Sequence, residues 1–144
     1  MIIQTSNFAK CWDNPKAVAI SIGVPKGWVG KRYWKLAPAY AMMRMSIPDF
    51  TAAYRKKLAD LRAADIIAEI QKYFGDDVIL LCFEQVNVKC HRRLVAEWLE
   101  ENTGIEVTEL GLRREDVLCY DEAPDKAGQK VVKKNNVDLF GNFY

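Results

Sequence analysis

Residues 78–83 read Val-Ile-Leu-Leu-Cys-Phe, an unbroken apolar run that ends at Glu84. A strand with one wet face alternates apolar and polar residues, whereas a run apolar on both faces has to be covered on both. The segment therefore predicts a central strand in a layered α/β sheet. Just beyond it, Cys82-Phe83-Glu84 and Cys90-His91-Arg92-Arg93 flank a short loop, and Leu94, Val95, Trp98 and Leu99 follow at helical spacing. This is a strand–loop–helix junction. In open α/β sheets ligands bind at the carboxyl ends of the strands.

The remaining pattern supplies the rest of such a fold. Ile2–Thr5 predicts a first strand ended by the turn-forming Ser6-Asn7, and Ala17–Ile22 a second, closed by Gly23 and Pro25. Residues 24–48, punctuated by Pro25, Gly27, Gly30, Pro38 and Pro48, form a long basic-aromatic loop, a length that is usually functional. Asp49 is placed as the N-cap of a helix carrying Phe50, Tyr54, Leu58 and Leu61. After a break at Arg62–Ala64, Asp65 caps a second helix that Gly75 ends. Cys90–Asn102 is a third helix, stopped by Gly104. Ile105–Thr108 and Val117–Tyr120 read as short strands, and 121–144 as a C-terminal extension whose apolar end, with Phe140, Phe143 and Tyr144, docks back. Strands alternating with helices predict one three-layer α/β domain over residues 1–144, with a mostly parallel central sheet. If the first strand runs parallel to Val78–Phe83, Thr5-Ser6-Asn7 ends at the same sheet edge as Cys82-Phe83-Glu84.

At 144 residues the chain can bury one substantial core. Its net charge of +2 is too small for the broad basic face of a duplex-DNA binder. The four cysteines lack CxxC spacing, the N-terminus shows no secretory pattern, and no apolar run approaches the ~18 residues of a membrane span. A reduced, cytoplasmic protein without a disulfide framework or membrane contact is expected.

The junction carries the chemistry. At a helix start Cys90 has its pKa lowered by the unpaired N–H groups and by neighbouring cations, which makes it a nucleophile unless it is only a small apolar plug. Arg92 and Arg93 in the first turn oppose the helix dipole, so something negative should answer them. That is either a bound phosphate or carboxylate, or Glu84 in an internal ion pair. Glu84 itself suits a general base or a sugar-hydroxyl partner, and His91, the sole histidine, a catalytic or a structural hydrogen-bonding role. Cys82, Cys90 and His91 are metal-ligand types. Their spacing lacks the close pairs of zinc sites, and adjacent Cys-His chelates one ion poorly, so neither a metal nor another cofactor is expected. In the loop, Trp28, Lys31, Arg32, Tyr33 and Trp34 interleave base and aromatic. That suits phosphate contact with base stacking, or a lid over the pocket; the alternative is that the aromatics pack on the core.

The strand ending Leu81-Cys82-Phe83-Glu84, with Cys90-His91-Arg92 at the following helix start, resembles the domain-of-unknown-function 488 family. Gln4-Thr5-Ser6-Asn7-Phe8 and Tyr54 are similar to further family positions, and the resemblance spans roughly residues 2–110. Where many members carry an Asp-Val-Arg strand, this chain has Ser21-Ile22-Gly23-Val24-Pro25. The resemblance implies a Rossmann-like fold and a prokaryotic or phage source, and assigns no activity. The expectation that follows is an anion pocket for a phosphorylated or nucleotide-like small molecule at residues 82–93, of which a small enzyme is one form. Glu84, Cys90 and His91 would be its reactive groups, and Ser6, Asn7, Tyr54, Cys82, Arg92 and Arg93 would hold the ligand. The alternatives are a nucleic-acid-interacting protein using loop 26–35, or an interaction protein in which Glu84–Arg92 is structural.

Overall fold

In the computed structural model, which describes residues 1–126 and Gly128, five strands form a parallel sheet in the order β3-β2-β4-β1-β5. The strands are β1 (Ile2–Asn7), β2 (Ala17–Ala19), β3 (Lys31–Arg32), β4 (Asp77–Cys82) and β5 (Val107–Glu109). The helices are α1 (Phe8–Cys11), α2 (Ile47–Ala59), α3 (Ala63–Phe74) and α4 (His91–Thr103). The apolar run occupies the middle strand, as its two-sided burial demands: Val78, Leu80 and Leu81 are fully buried. Strand β4 pairs with β1 from Ile2↔Asp77 to Asn7↔Cys82 and with β2 on its other side, ending at Ala19↔Leu81. Three strands thus deliver their carboxyl ends to one edge.

Successive β4 side chains feed two cores. Val78 and Leu80 join Val18 and Val107 against Leu58, Ile70 and Leu99 of the α2–α4 layer. Ile79 and Leu81 face a thinner layer made by Phe8, Cys11 and Trp28. The architecture is the expected three-layer, Rossmann-like α/β fold, with one layer much lighter than the other.

Several boundaries differ from the sequence reading. Ser46, not Asp49, caps α2, because its side chain accepts from the Asp49 N–H and Pro48 occupies the first turn. Helix α3 starts at Ala63, ahead of Asp65. Ser6 and Asn7 extend β1, and β2 stops at Ala19. Val117–Tyr120 is not a strand: the Leu118 N–H is taken by the Asn87 side chain instead of a ladder partner, and a 3-10 turn follows at Tyr120–Glu122. Gly104 ends α4 with φ +73°, the left-handed geometry that glycine tolerates. The aromatic C-terminal segment expected to dock lies outside the described residues. Among those described, no helix is long and apolar enough to cross a membrane.

Candidate ligand site at the carboxyl edge of the sheet

Where β2 and β4 end and α4 begins, a cavity of about 220 Å³ opens, lined by Cys82, Glu84, Cys90 and His91. These are four of the residues the sequence singled out. Phe83 of the same block joins them, and much of the remaining wall was not foreseen: Ser21 after β2, Met42, Met43 and Met45 from the loop, Phe50 on α2, and Tyr120. The Met42-Met43-Arg44-Met45 cluster was the available signal for the methionines, since flexible thioethers gather at adaptable binding surfaces.

Cys90 is the N-cap of α4, in extended conformation and making no side-chain capping bond. Its sulfur is joined to that of Cys82 as a disulfide, with the two Cα atoms 7.4 Å apart. This differs from the expected reduced pair. The sequence showed two cysteines eight residues apart but not that strand end and helix cap would meet. Cys11 and Cys119 are free.

His91 is buried, with Nε2 2.7 Å from the Ile20 carbonyl oxygen. A carbonyl only accepts, so Nε2 carries the proton and Nδ1 presents its lone pair 4.0 Å from Cys90 Sγ. Burial, reinforced by the nearby Arg92 and Lys57 charges, pushes its pKa down to about 4 against the pull of the Ile20 bond. The imidazole is therefore neutral at neutral pH. The Tyr54 ring meets it edge-on at 5.3 Å. Tyr54 was expected to touch ligand; it is instead a core residue whose hydroxyl donates to the Leu36 carbonyl at 2.5 Å, and it holds His91 from beneath.

Arg92 also departs from expectation. It is 1% exposed and turned away from the cavity. Its Nε and Nη2 donate to Glu109 Oε1 at 3.0 and 2.8 Å, and its Nη1 donates to Cys82 Sγ at 3.0 Å and to the Glu84 carbonyl at 2.8 Å. Thr5 Oγ1 donates to the other Glu109 oxygen at 2.5 Å. The negative group that a first-turn arginine requires is thus Glu109, not Glu84 and not a ligand. Glu84 offers Arg92 only its backbone, leaving its exposed carboxylate at the cavity mouth, Oε2 3.6 Å from Cys82 Sγ. The signal for Glu109 was its spacing from Val107, which puts an acid on the buried face of an edge strand.

Arg93 lies on the far side of α4, near Glu97, Glu100 and Glu109, with burial lowering its pKa. Its Nη1 is 3.5 Å from Thr5 Oγ1, and it does not line the cavity. Neither do Ser6, which is buried with its hydroxyl unpartnered, and Asn7, which caps α1 by accepting from the Lys10 N–H.

The loop aromatics are likewise committed elsewhere. Trp28 is buried edge-on against Phe8, and Tyr33 is buried against Phe74, so neither can stack a base. Trp34 is exposed but has the Arg32 guanidinium over its ring at 4.2 Å. Arg32 donates to the Ile22 carbonyl and Lys31 to that of Pro15. Residues 28–34 are therefore mostly tethered to the scaffold and none of them lines the cavity, whereas Pro38, Met42, Met43 and Met45 further along the loop do.

A parallel α/β sheet with a cavity at the carboxyl ends of its strands, lined by the Cys-x-Glu and Cys-His segments, defines the class of this protein. Residues 6–103 match the DUF488-N3a family, described as the active DUF488-N3 subclade, and the chain belongs to that family. No curated protein and no solved structure matches it.

Proposed function

We propose that this protein binds a nucleotide-like or phosphorylated small molecule in the cavity at the sheet edge. The observation that carries this reading is the cavity's two-sided lining. Pro38, Met42, Met43 and Phe50 make an apolar wall suited to a flat ring, and Ser21, Glu84 and His91 make a polar one suited to hydroxyls. The first turn of α4, which contains no acidic residue and no side-chain cap from Cys90, gives N–H groups and a dipole end for an anion. At about 220 Å³ the cavity is below the usual range of roughly 300–1,000 Å³, which favours a mononucleotide or sugar phosphate over a dinucleotide. If the bound molecule reacts, Glu84 is the exposed acid–base group and His91 a neutral acceptor. Arg92, held by Glu109, takes no direct part.

The test is thermal unfolding against nucleoside phosphates and sugar phosphates, for wild type, Glu84→Gln and Met43→Lys. A ligand at 100 times its Kd adds about 2.7 kcal/mol, a readily measured rise in Tm. The expected result is a rise in wild type that both substitutions reduce, each at an exposed side chain that leaves the unliganded Tm in place. No rise with any compound would sink the reading.

A further inference from the structure

We propose that the reduced protein holds a thiophilic divalent cation of the zinc type between Cys82 Sγ, Cys90 Sγ and His91 Nδ1, with a fourth position open to the cavity. The sequence spacing argued against such a site; the fold removes the objection. The strand end supplies Cys82, the helix cap supplies Cys90 and the next residue supplies His91, and their ligand atoms all lie within 4.8 Å of one another. A tetrahedral ion with Zn–S bonds of about 2.3 Å needs its sulfurs about 3.8 Å apart. The 4.0 Å from Cys90 Sγ to His91 Nδ1 is already close to that edge length. The Cα atoms of the two cysteines, 7.4 Å apart, stand wider than the roughly 4.4–6.8 Å usual for a disulfide, a spacing that lets the sulfurs part to about 3.8 Å once the bond is reduced.

The surroundings are those of a supported ligand set. Imidazole ligands commonly donate the second ring N–H to a carbonyl, which fixes tautomer and orientation; His91 does this to Ile20. Arg92 Nη1 lies 3.0 Å from Cys82 Sγ and fixes its position, while Glu109 balances the guanidinium. Two thiolates neutralise a divalent cation in a buried place. Glu84, 3.6 Å from Cys82 Sγ, borders the open position. Three protein ligands with one site free is the pattern of ions that act on a bound molecule.

Loading follows a balanced sequence. A dithiol reductant gives two electrons and two protons to the Cys82–Cys90 disulfide and leaves as its own disulfide. The two thiols then lose their protons as the cation binds. The oxidised protein should therefore not bind the ion.

The site shares the cavity of the proposed ligand but does not depend on that ligand, so the test omits nucleotides. Full-length protein, reduced and then freed of reductant, is titrated with Co2+ as the optical probe and with Zn2+ in competition. Expected are one equivalent bound, thiolate-to-cobalt charge-transfer and tetrahedral d–d bands, and no bands from oxidised protein. Cys119→Ser should leave all this unchanged, whereas Cys90→Ser should weaken binding by at least about 100-fold. His91→Gln should change the d–d bands while the charge-transfer band persists, and circular dichroism of each variant checks that it folds. Absence of binding to reduced wild type, or binding that follows Cys119 rather than Cys90, would overturn the inference. Ion binding without any nucleotide-induced rise in Tm would leave it standing and remove only the ligand reading.

Discussion

Arg92 places a full charge where water does not reach, and it is stable there because every donor edge finds an acceptor: Glu109 on one side, Cys82 and the Glu84 carbonyl on the other. Removing one member of such a buried pair strands the other. Arg92→Ala and Glu109→Ala are each expected to cost about 3–5 kcal/mol in urea unfolding, whereas the double replacement Arg92→Met with Glu109→Leu should recover most of that. Single variants that lose under about 1 kcal/mol would mean that the pair is solvated and worth little. First-turn cations were good reason to expect an anion beside Arg92, with a bound ligand and Glu84 as the two candidates. Glu109 comes close only because β5 aligns with β1, Thr5 opposite Glu109, a register that local pattern does not reveal.

Helix α4 links the cavity to the last described segment. Glu97 Oε1 accepts from the Tyr120 N–H at 2.7 Å, and burial raises its pKa, against the lowering effect of that bond and of Arg93. A carboxyl whose folded pKa is raised binds its proton more tightly in the folded state. Its contribution is fully present below the unfolded carboxylate pKa and is lost as pH rises through the folded value. Glu97→Gln keeps the acceptor without the charge. The variant should melt above wild type at pH 7, and the gap should close as pH falls through the carboxylate range; a lower Tm at pH 7 would show Arg93's attraction to dominate. Elements with strong local signals, such as β4 with its two-sided apolar run and α4 ending at Gly104, were legible from residues alone. The end of β5 and the coil at Val117–Tyr120 were not, because a cross-strand partner and a side chain 31 residues away decide them. That Cys82, Glu84, Cys90 and His91 come together was readable in the same way, but the bond between the two cysteines was not, and the methionine wall depends on how the long loop folds over the edge.

Across the whole molecule, residues 116–124 return to the site through the loop between β4 and α4. Asn87, at φ +59°, donates to the Asp116 carbonyl and accepts from the Leu118 N–H. Lys89 Nζ donates to the carbonyls of Tyr120, Asp121 and Ala123. Tyr120 thereby becomes one wall of the cavity. Asn87→Gly, which accepts the same backbone angle, removes two bonds of about 0.5–1.5 kcal/mol each. Hydrogen exchange should then quicken at the Leu118 and Lys89 amides and stay unchanged in β4; uniform quickening would mean that the clasp is part of the global fold. The strand order has a further consequence for biosynthesis. Strand β1 is translated before the other strands of this sheet, yet its Thr5 bonds a carboxylate 104 residues later. A nascent chain carries Arg92 with no counter-charge until Glu109 leaves the ribosome. The sheet's first strand is thus the last to be flanked on both sides, and a growing chain stalled before that point leaves β1 as an open edge.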